Sequence, residues 1–263
     1  ESSDVTPGLM KKAFKRAVVD RNVKGIIFRI DSHGGLALAG DEIYHEAVKA
    51  AEKKPIVVSM SNIAASGGYY MAMPARDILA NPATITGSIG IYGGKVDLSR
   101  LYDKIGLGKE LYTRGKHAGM LTTMRPFTEE EREKYFSQMK AMYGHFVSLV
   151  ADNRRLTSDS VDNLAQGRVW TGREALYNGL VDELGGVKRA LDLTAEKLNL
   201  EKYKIEYLPR KRPFILLPGK SLIDNVAGLL GLGSEAGEVA TVLSEPKVAE
   251  GILTRMPFDI EIE

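Results

Sequence analysis

The sequence predicts an α/β protein in which helices cover a largely parallel sheet. Residues 9–75 follow the order helix, strand, helix, strand, helix. The strand patterns are short runs rich in valine and isoleucine, whereas the helical patterns repeat apolar residues every three or four positions. Because successive strands joined through helices run parallel with right-handed crossovers, this order predicts a parallel sheet.

The first helix, over residues 9–20, is predicted by an apolar face with lysines and arginines opposite it. The β-branched run 23–30 then predicts a buried strand. A second helix is predicted over 41–51, a second buried strand over 56–60 and a third helix over 67–75. The inward positions of the first two helices are Leu9, Ala13, Ala17 and Val18, then Ile43, Ala47, Val48 and Ala51.

The rest of the domain combines short strands with longer helices. The predicted strands cover 77–81, 85–91, 110–113 and, as an edge strand, 203–207. The predicted helices cover 98–105, 128–154, 157–165, a stretch beginning at 171, and 187–198. Two of them open with a capping box, Thr128 with Glu131 and Thr171 with Glu174. The longest carries an apolar stripe expected in the core: Phe136, Met139, Met142, Phe146, Leu149 and Val150.

We expect residues 1–212 to form one α/β domain and residues 213–263 to form an extension of unknown role. After Pro213 the composition changes to proline, glycine and short apolar pieces such as 222–232. Membrane contact, subunit contact and packing all fit that region, and we favour a subunit or packing role. The abrupt start at Glu1, with a helix following at once, suggests a fragment of a longer protein.

Composition excludes several kinds of chemistry. The chain has 263 residues, 44% of them apolar, so it can bury a substantial core. A net charge of +2 gives no basis for a nucleic-acid partner. The absence of cysteine removes thiol catalysis, thiolate metal sites and disulfides. The four histidines lack metal-ligand spacing, so we expect neither a metal nor another cofactor. No apolar run is long enough to span a bilayer, and there is no signal-peptide pattern.

The most informative residue is Ser66, which stands among small residues directly after the second strand. It is predicted at a strand-to-helix turn, where Gly67 and Gly68 let a substrate backbone come close. Free amides and the helix dipole at such a turn favour developing negative charge, so the Ser66 hydroxyl is a candidate nucleophile. A helix start that merely packs closely is the alternative interpretation.

Two further loops are expected beside Ser66. Gly34 and Gly35 follow the first strand and leave amides exposed, as in an oxyanion site, although a Gly-Gly pair often only makes a turn. Both glycine loops leave the carboxyl ends of parallel strands, the edge where ligand sites of open α/β sheets collect. Ser88, between Gly87 and Ile89, forms either a tight bend or a bond to whatever activates Ser66.

Five motifs in order together resemble signal peptide peptidase A, over roughly residues 10–200. They are Ile30-Asp31-Ser32-His33-Gly34-Gly35, Ser59-Met60 through Ala64-Ala65-Ser66-Gly67-Gly68-Tyr69-Tyr70, Asn81-Pro82 with Thr86-Gly87-Ser88-Ile89-Gly90, Gly167-Arg168-Val169-Trp170-Thr171-Gly172, and Gly179-Leu180-Val181-Asp182-Glu183-Leu184-Gly185.

The resemblance implies a Ser/Lys serine peptidase with a ClpP/crotonase-type fold, built from repeated β-β-α units with a largely parallel sheet and helical additions. It implies a nucleophile at Ser66 and a second serine, Ser88, that orients the base. It also implies an oxyanion hole formed by amides near Gly34, Gly35 and Gly67. The family's general base is a lysine, which serves only if burial pulls its pKa toward neutrality.

The sequence departs from the family at that base, because Ala118 stands where the lysine belongs. In the explanation we favour, the chain is the carboxyl half of a tandem member whose other half supplies the lysine. Alternatively Lys116, two positions early, or His117 takes over. A third explanation is that the base is lost. His33, where the family usually has proline, is a loop substitution or tunes the oxyanion loop.

The expected function is therefore endopeptidase cleavage of hydrophobic peptides, such as released signal peptides, through an acyl-enzyme on Ser66. The resemblance also implies a homo-oligomer or a partner half that donates the lysine. It implies a bacterial cell-envelope location, on either side, with membrane association through parts absent from this chain. Two rivals stand beside it: a scaffold half that binds peptide without cleaving it, and a crotonase-type enzyme that stabilises an acyl-CoA enolate.

Overall fold

The computed structural model describes residues 5–209 and confirms the α/β class. Its strands are β1 (Ile26–Ser32), β2 (Ile56–Ala65), β3 (Asp77–Ala80), β4 (Ile85–Gly87), β5 (Val169–Thr171) and β6 (Glu183–Leu184). Its helices are α1 (Pro7–Val19), α2 (Ala37–Ala51), α3 (Gly67–Ala72), α4 (Ser99–Lys104), α5 (Glu129–Arg154), α6 (Ser158–Leu164), α7 (Gly172–Tyr177) and α8 (Val187–Leu198).

Strand β2 is the centre of the sheet. The strand order is β5-β4-β2-β3-β6, with β1 paired to the other side of β2. All pairs are parallel except β4 with β5. Residues 57–59 of β2 pair with β3, and residues 63–65 pair with β4. Strand β2 therefore changes its neighbour from β3 to β4 along its length, and it ends at Ala65, directly before Ser66.

Helices cover both faces of β1 and β2. Thr6 caps α1 by accepting the Leu9 N–H at 3.3 Å, and Pro7 begins the helix, where no donor is needed. Ala13 and Ala17 of α1 are buried as predicted and Val18 is half-buried, but Leu9 is exposed. Phe14, which was not among the predicted inward positions, is also buried, and its ring contacts Phe28 of β1. On the other face, Ala190 and Leu193 of α8 pack against apolar residues of the first three strands, Ile27, Val57 and Leu79.

Two predicted strands are wrong. Residues 110–113 and 203–207 form no strand, and all of them are exposed. Their apolar residues fit an extended pattern, but a strand is stable only when a neighbouring strand satisfies its backbone, and within residues 5–209 neither segment has one. The boundary at 212 and the apolar piece 222–232 lie outside the described residues.

Helix α5 is half buried and half exposed along its length. Its capping box forms as predicted, with the Thr128 side chain accepting from Glu131 N and the Glu131 carboxylate accepting from Thr128 N. The carboxyl half of the stripe is buried at Phe146, Leu149 and Val150. In the amino half the core prediction is wrong, because the side chain of Phe136 is 60% exposed. Within residues 5–209 the 91–127 segment contacts this half at Glu131 and Tyr135 but leaves Phe136 uncovered.

Among residues 5–209, no helix combines the length and the apolar character needed to cross a membrane.

Candidate active site

Ser66 stands at a sharp turn between β2 and α3. Its backbone has φ of 53° and ψ of −119°, a conformation that residues with a side chain rarely adopt. Such strain persists only where the surroundings impose it, and it concentrates at functional sites. The residue is half-buried, and its hydroxyl has no hydrogen-bond partner among residues 5–209. The hydroxyl is therefore raised at the end of the strand and is available for reaction.

The loop after β1 lies directly against this turn. Gly34 has φ of 97°, and a Cβ at that position would lie 2.6 Å from the Gly67 nitrogen and 2.9 Å from the Ser66 Cβ. A Cβ on Gly67 would lie 3.3 Å from the Gly35 nitrogen. A Cβ on Gly68 would lie 2.6 Å from the Ser32 carbonyl oxygen. Only glycine permits so close an approach of the two loops.

The three glycine amides beside Ser66 are not equivalent. The Gly34 N–H donates to the Ser32 hydroxyl at 3.1 Å, inside the loop itself. The N–H groups of Gly35 and Gly67 find no acceptor among the described residues. Because two free amides close together can bind an oxygen that gains negative charge, Gly35 and Gly67 are the candidate oxyanion donors. Gly34 then contributes its shape and not its N–H.

Ser88 is placed next to the peptide that holds Ser66. The Ser66 N–H donates to the Gly87 carbonyl at 2.9 Å, and the Ser88 N–H donates to the Arg168 carbonyl at 2.7 Å. Ser88 also has a left-handed backbone, with φ of 49°, and its hydroxyl has no partner among residues 5–209. A second small turn with a free hydroxyl therefore lies one residue beyond the peptide that Ser66 contacts.

The antiparallel pair of β4 with β5, which supports Gly87, was not predicted from the sequence. Trp170 lies so close that a Cβ on Gly87 would be 2.8 Å from its ring, and its indole N–H donates to the Leu164 carbonyl at 3.0 Å. The only sequence signal was the position of Trp170 inside a family motif, which carried no role. Because β4 pairs with β5, the Trp170 ring packs against Gly87 and supports the turn at Ser88.

Two buried tyrosines anchor α3 behind Ser66. Tyr69 is fully buried and donates its hydroxyl to the Leu180 carbonyl at 2.7 Å. Tyr70 donates to the Asp41 carboxylate at 2.7 Å. Burial raises the pKa of the Tyr69 phenol, and burial together with the Asp41 carboxylate raises that of the Tyr70 phenol. Both tyrosines thus stay neutral donors, and α3 is fixed at both sides.

The candidate bases of this chain lie elsewhere. Lys116 is 71% exposed and pairs with Glu130, whose pKa is lowered chiefly by that hydrogen bond. His117 approaches the same carboxylate, with its Nε2 4.0 Å away. Neither has a contact with Ser66 or Ser88 among the described residues, and Ala118 is exposed in a turn. The structure therefore brings together Ser66, Gly34, Gly35 and Gly67, with Ser88 adjacent, but not Lys116.

His33 is exposed at the start of the glycine loop. Within residues 5–209, no group of three or more acidic or histidine side chains could hold a metal ion.

A serine raised on a strand-to-helix turn, with free amides beside it, is the arrangement found in serine hydrolases. Residues 48–201 match the sequence profile of peptidase family S49. A chloroplastic serine protease SPPA of Arabidopsis thaliana is 40% identical over 90% of this chain. A Synechocystis protein named as a candidate protease is 35% identical over 87% of the chain. An Enterococcus faecium protein named as a candidate signal peptide peptidase SppA is 35% identical over 73%.

The chain therefore belongs to peptidase family S49, and its resemblance to signal peptide peptidase A is confirmed. It spans 35% of the length of the Arabidopsis relative, 84% of the Synechocystis one and 57% of the Enterococcus one.

Proposed function

We propose that this chain carries the nucleophile of a serine endopeptidase. The observation that carries the proposal is the strained turn of Ser66, which faces the free amides of Gly35 and Gly67. The Ser66 oxygen attacks the carbonyl carbon of a peptide bond while its proton passes to a general base. The oxyanion of the tetrahedral intermediate accepts hydrogen bonds from the two amides.

The intermediate then collapses to an acyl-enzyme. The C–N bond breaks, and the protonated base gives its proton to the leaving amine. A water molecule, deprotonated by the same base, attacks the ester carbon, and a second tetrahedral intermediate releases the carboxylic acid and restores Ser66. Ser88, with its free hydroxyl beside the Gly87 peptide, is the group that holds the base in place.

We propose that the base is a lysine donated by a partner half or a second copy. Two observations support this source. Lys116 and His117 are both engaged with Glu130, and Ala118 occupies the position that the family gives to the lysine. A lysine that is buried when the partner docks loses charge stabilisation from water, which is the condition for a basic amine near neutral pH.

The proposed substrates are hydrophobic peptides, such as released signal peptides, handled at a membrane of the cell envelope. An extended apolar peptide fits a site bordered by exposed apolar residues. Leu36 and Leu38, directly after the glycine loop, are 52% and 69% exposed, and Ile85 at the start of β4 is 45% exposed. These side chains give an apolar peptide contact area on both sides of the Ser66 turn.

Fluorophosphonate labelling tests the proposal. The chain is labelled alone and with the partner half, as wild type, Ser66→Ala, Lys116→Ala and, as a matched control, Ser137→Ala on the exposed face of α5. We expect labelling only with the partner half, or, if a second copy donates the lysine, labelling of the chain alone that rises with its concentration; in both cases it is lost in Ser66→Ala and unchanged in the other two variants. Labelling of the isolated chain that Lys116→Ala abolishes would instead establish a local base.

A second candidate function is a peptide-binding scaffold half. It is favoured by one observation, that no basic side chain contacts Ser66 among the described residues. It predicts that the chain binds an apolar peptide but is not labelled in either state. Peptide binding measured by fluorescence anisotropy, beside the labelling assay, distinguishes the two functions.

A further inference from the structure

Strand β2 contains a bulge just before it reaches Ser66. Ile30 of β1 pairs with Met60, but Ser32 pairs with Ala64, so two steps along β1 correspond to four along β2. The two additional residues keep the alternation of side chains, because an even insertion does not exchange the faces of a strand. The bulge, residues 61–63, lies where β2 leaves β3 and joins β4.

Three side-chain hydrogen bonds hold the bulge. The Ile63 N–H donates to the Asp31 carboxyl at 3.1 Å, and Arg29 donates to the Ser61 hydroxyl at 2.9 Å. From the β4 side, the Thr84 hydroxyl donates to the Ser61 carbonyl at 2.5 Å. Asp31 is 3% exposed and Ile63 is half-buried, so this hydrogen bond lies mostly out of contact with water.

Asp31 joins the two halves of the candidate site. It lies on β1 immediately before Ser32, whose hydroxyl accepts the Gly34 N–H in the glycine loop. Its carboxyl holds Ile63, three residues before Ser66, on the neighbouring strand. If the bulge flattened into a regular ladder, Ser66 would move by two residues, about 6.6 Å, relative to the glycine loop. Even partial flattening would separate the hydroxyl from the oxyanion amides.

We propose that Asp31 is a positioning residue, which fixes the bulge of β2 so that Ser66 meets the Gly35 and Gly67 amides in register. This inference rests on the proposed peptidase function. It requires an acceptor oxygen at the Asp31 Oδ1 position, and the charge of the carboxyl is not needed to receive an amide N–H. Misplacement of a nucleophile by about 1 Å costs on the order of 10²-fold in rate, so a small change in the bulge has a large effect.

Four variants separate this role from simple stabilisation. Asp31→Asn keeps the acceptor, Asp31→Glu moves it by one methylene, and Asp31→Ala removes it. The control is Asp182→Ala, because Asp182 also accepts a strand N–H in this sheet, from Ile78 at 2.8 Å on β3. Asp182 is in addition ion-paired with Arg154, so this variant removes stabilising contacts of the fold without touching the bulge of β2. The rate constant of fluorophosphonate labelling is measured with the partner half, at least about 10 °C below each variant's Tm.

We expect Asp31→Asn to label within about threefold of wild type, Asp31→Glu at least about tenfold more slowly, and Asp31→Ala about 10²-fold more slowly. Asp182→Ala should lower Tm and leave the labelling rate unchanged. If Asp31→Ala does not fold, the pair Asn and Glu decides. A wild-type labelling rate in Asp31→Glu or Asp31→Ala would overturn the proposal. Slower labelling in Asp31→Asn with a normal rate in Asp31→Glu would overturn it too.

Residue-resolved hydrogen exchange tests whether Asp31 holds the bulge of β2, independently of any enzymatic activity. The amide of Ile63 should exchange at least about tenfold faster in Asp31→Glu than in Asp31→Asn, while Asp182→Ala accelerates Ile78 and not Ile63. If wild type never labels, the peptidase proposal fails, and this measurement still tests whether Asp31 holds the bulge. Unchanged exchange at Ile63 in Asp31→Glu would overturn it.

Discussion

The surroundings of Ser66 and the segment 91–127 are built in opposite ways. Around Ser66, backbone approaches backbone through Gly34, Gly67 and Gly68, and the flanking strands are buried. The 91–127 segment contains one short helix, α4, with no buried residue. Its contacts are mainly internal, such as Leu98 N–H to the Thr123 carbonyl at 2.7 Å.

The 91–127 segment also exposes many large apolar side chains. They are Tyr92, Val96, Leu101, Ile105, Leu107, Leu111, Tyr112 and Leu121, from 45% to 87% exposed. A concentration of exposed apolar residues is typical of a surface that another chain covers. The difference is that the Ser66 turn and the glycine amides are held by contacts within the chain, whereas the segment that contains the family's lysine position exposes apolar surface. The proposed donation of a base by a partner requires such an exposed surface.

The largest expected effect contrasts the two ends of α5. Phe146 is 2% exposed and Phe136 is 60% exposed. Because a buried phenylalanine leaves a cavity when truncated, Phe146→Ala should lower the free energy of unfolding by about 3–5 kcal/mol. Phe136→Ala should change it by less than about 0.5 kcal/mol. Urea unfolding followed by circular dichroism measures both, and similar losses would show that the amino half of α5 is covered after all.

The second prediction contrasts two glycines. Gly34→Ala forces a side chain into a left-handed backbone and onto the Gly67 nitrogen, so we expect a loss of about 2–4 kcal/mol in unfolding free energy and of fluorophosphonate labelling. Gly94 has nothing within 4 Å of an added Cβ. Gly94→Ala should therefore lie within about 0.5 kcal/mol of wild type and label normally. A labelling-competent Gly34→Ala would remove the argument for two closely apposed loops.

Part of the fold and of the candidate site could be predicted from the sequence, and part could not. Periodicity and β-branched runs predicted β1, β2 and the helices beside them, and the glycine pairs predicted loops that the structure brings together. Periodicity could not tell that Phe136 and Phe146 have different surroundings, because both fit one stripe. Contacts such as Asp31 with Ile63, or Trp170 with Gly87, join residues distant in sequence and depend on a strand register that no local pattern encodes.

The third prediction tests the 91–127 segment as a contact surface. Ile105 is 62% exposed and Tyr112 is 87% exposed. The double variant Ile105→Ser, Tyr112→Ser should change the unfolding free energy of the isolated chain by less than about 1 kcal/mol. Its association with the partner half should weaken at least about tenfold by analytical ultracentrifugation. Tyr177→Ser, which alters a tyrosine 93% exposed outside the segment, is the control and should associate normally. Equal affinity for the double variant would place the interface elsewhere.

The smallest effect concerns the point where the two regions meet. Glu131 at the start of α5 is 3% exposed and forms a bidentate ion pair with Arg125 of the segment, at 2.6 and 2.7 Å. The hydrogen bonds from Arg125 and from the Thr128 backbone lower the pKa of Glu131 to about 2. A glutamate carboxyl in the unfolded chain has a pKa of about 4.3. The pair therefore stabilises the fold fully above that pH, and its contribution is lost as pH falls toward about 2.

Glu131→Gln should accordingly flatten the fall of Tm between about pH 5 and pH 2.5, because the glutamine oxygen keeps the capping bond to Thr128 but carries no charge for Arg125. Glu174→Gln is the matched control, since Glu174 closes the capping box of α7 and has no arginine partner within residues 5–209. Hydrogen exchange at residues 129–132 should rise with acid in wild type before the core amides respond. If Glu131→Gln keeps the wild-type acid slope, the Arg125 pair does not join the segment to the helix, and the 91–127 segment is attached to α5 by its other contacts, the Lys116–Glu130 pair and the packing of Phe127 on Tyr135.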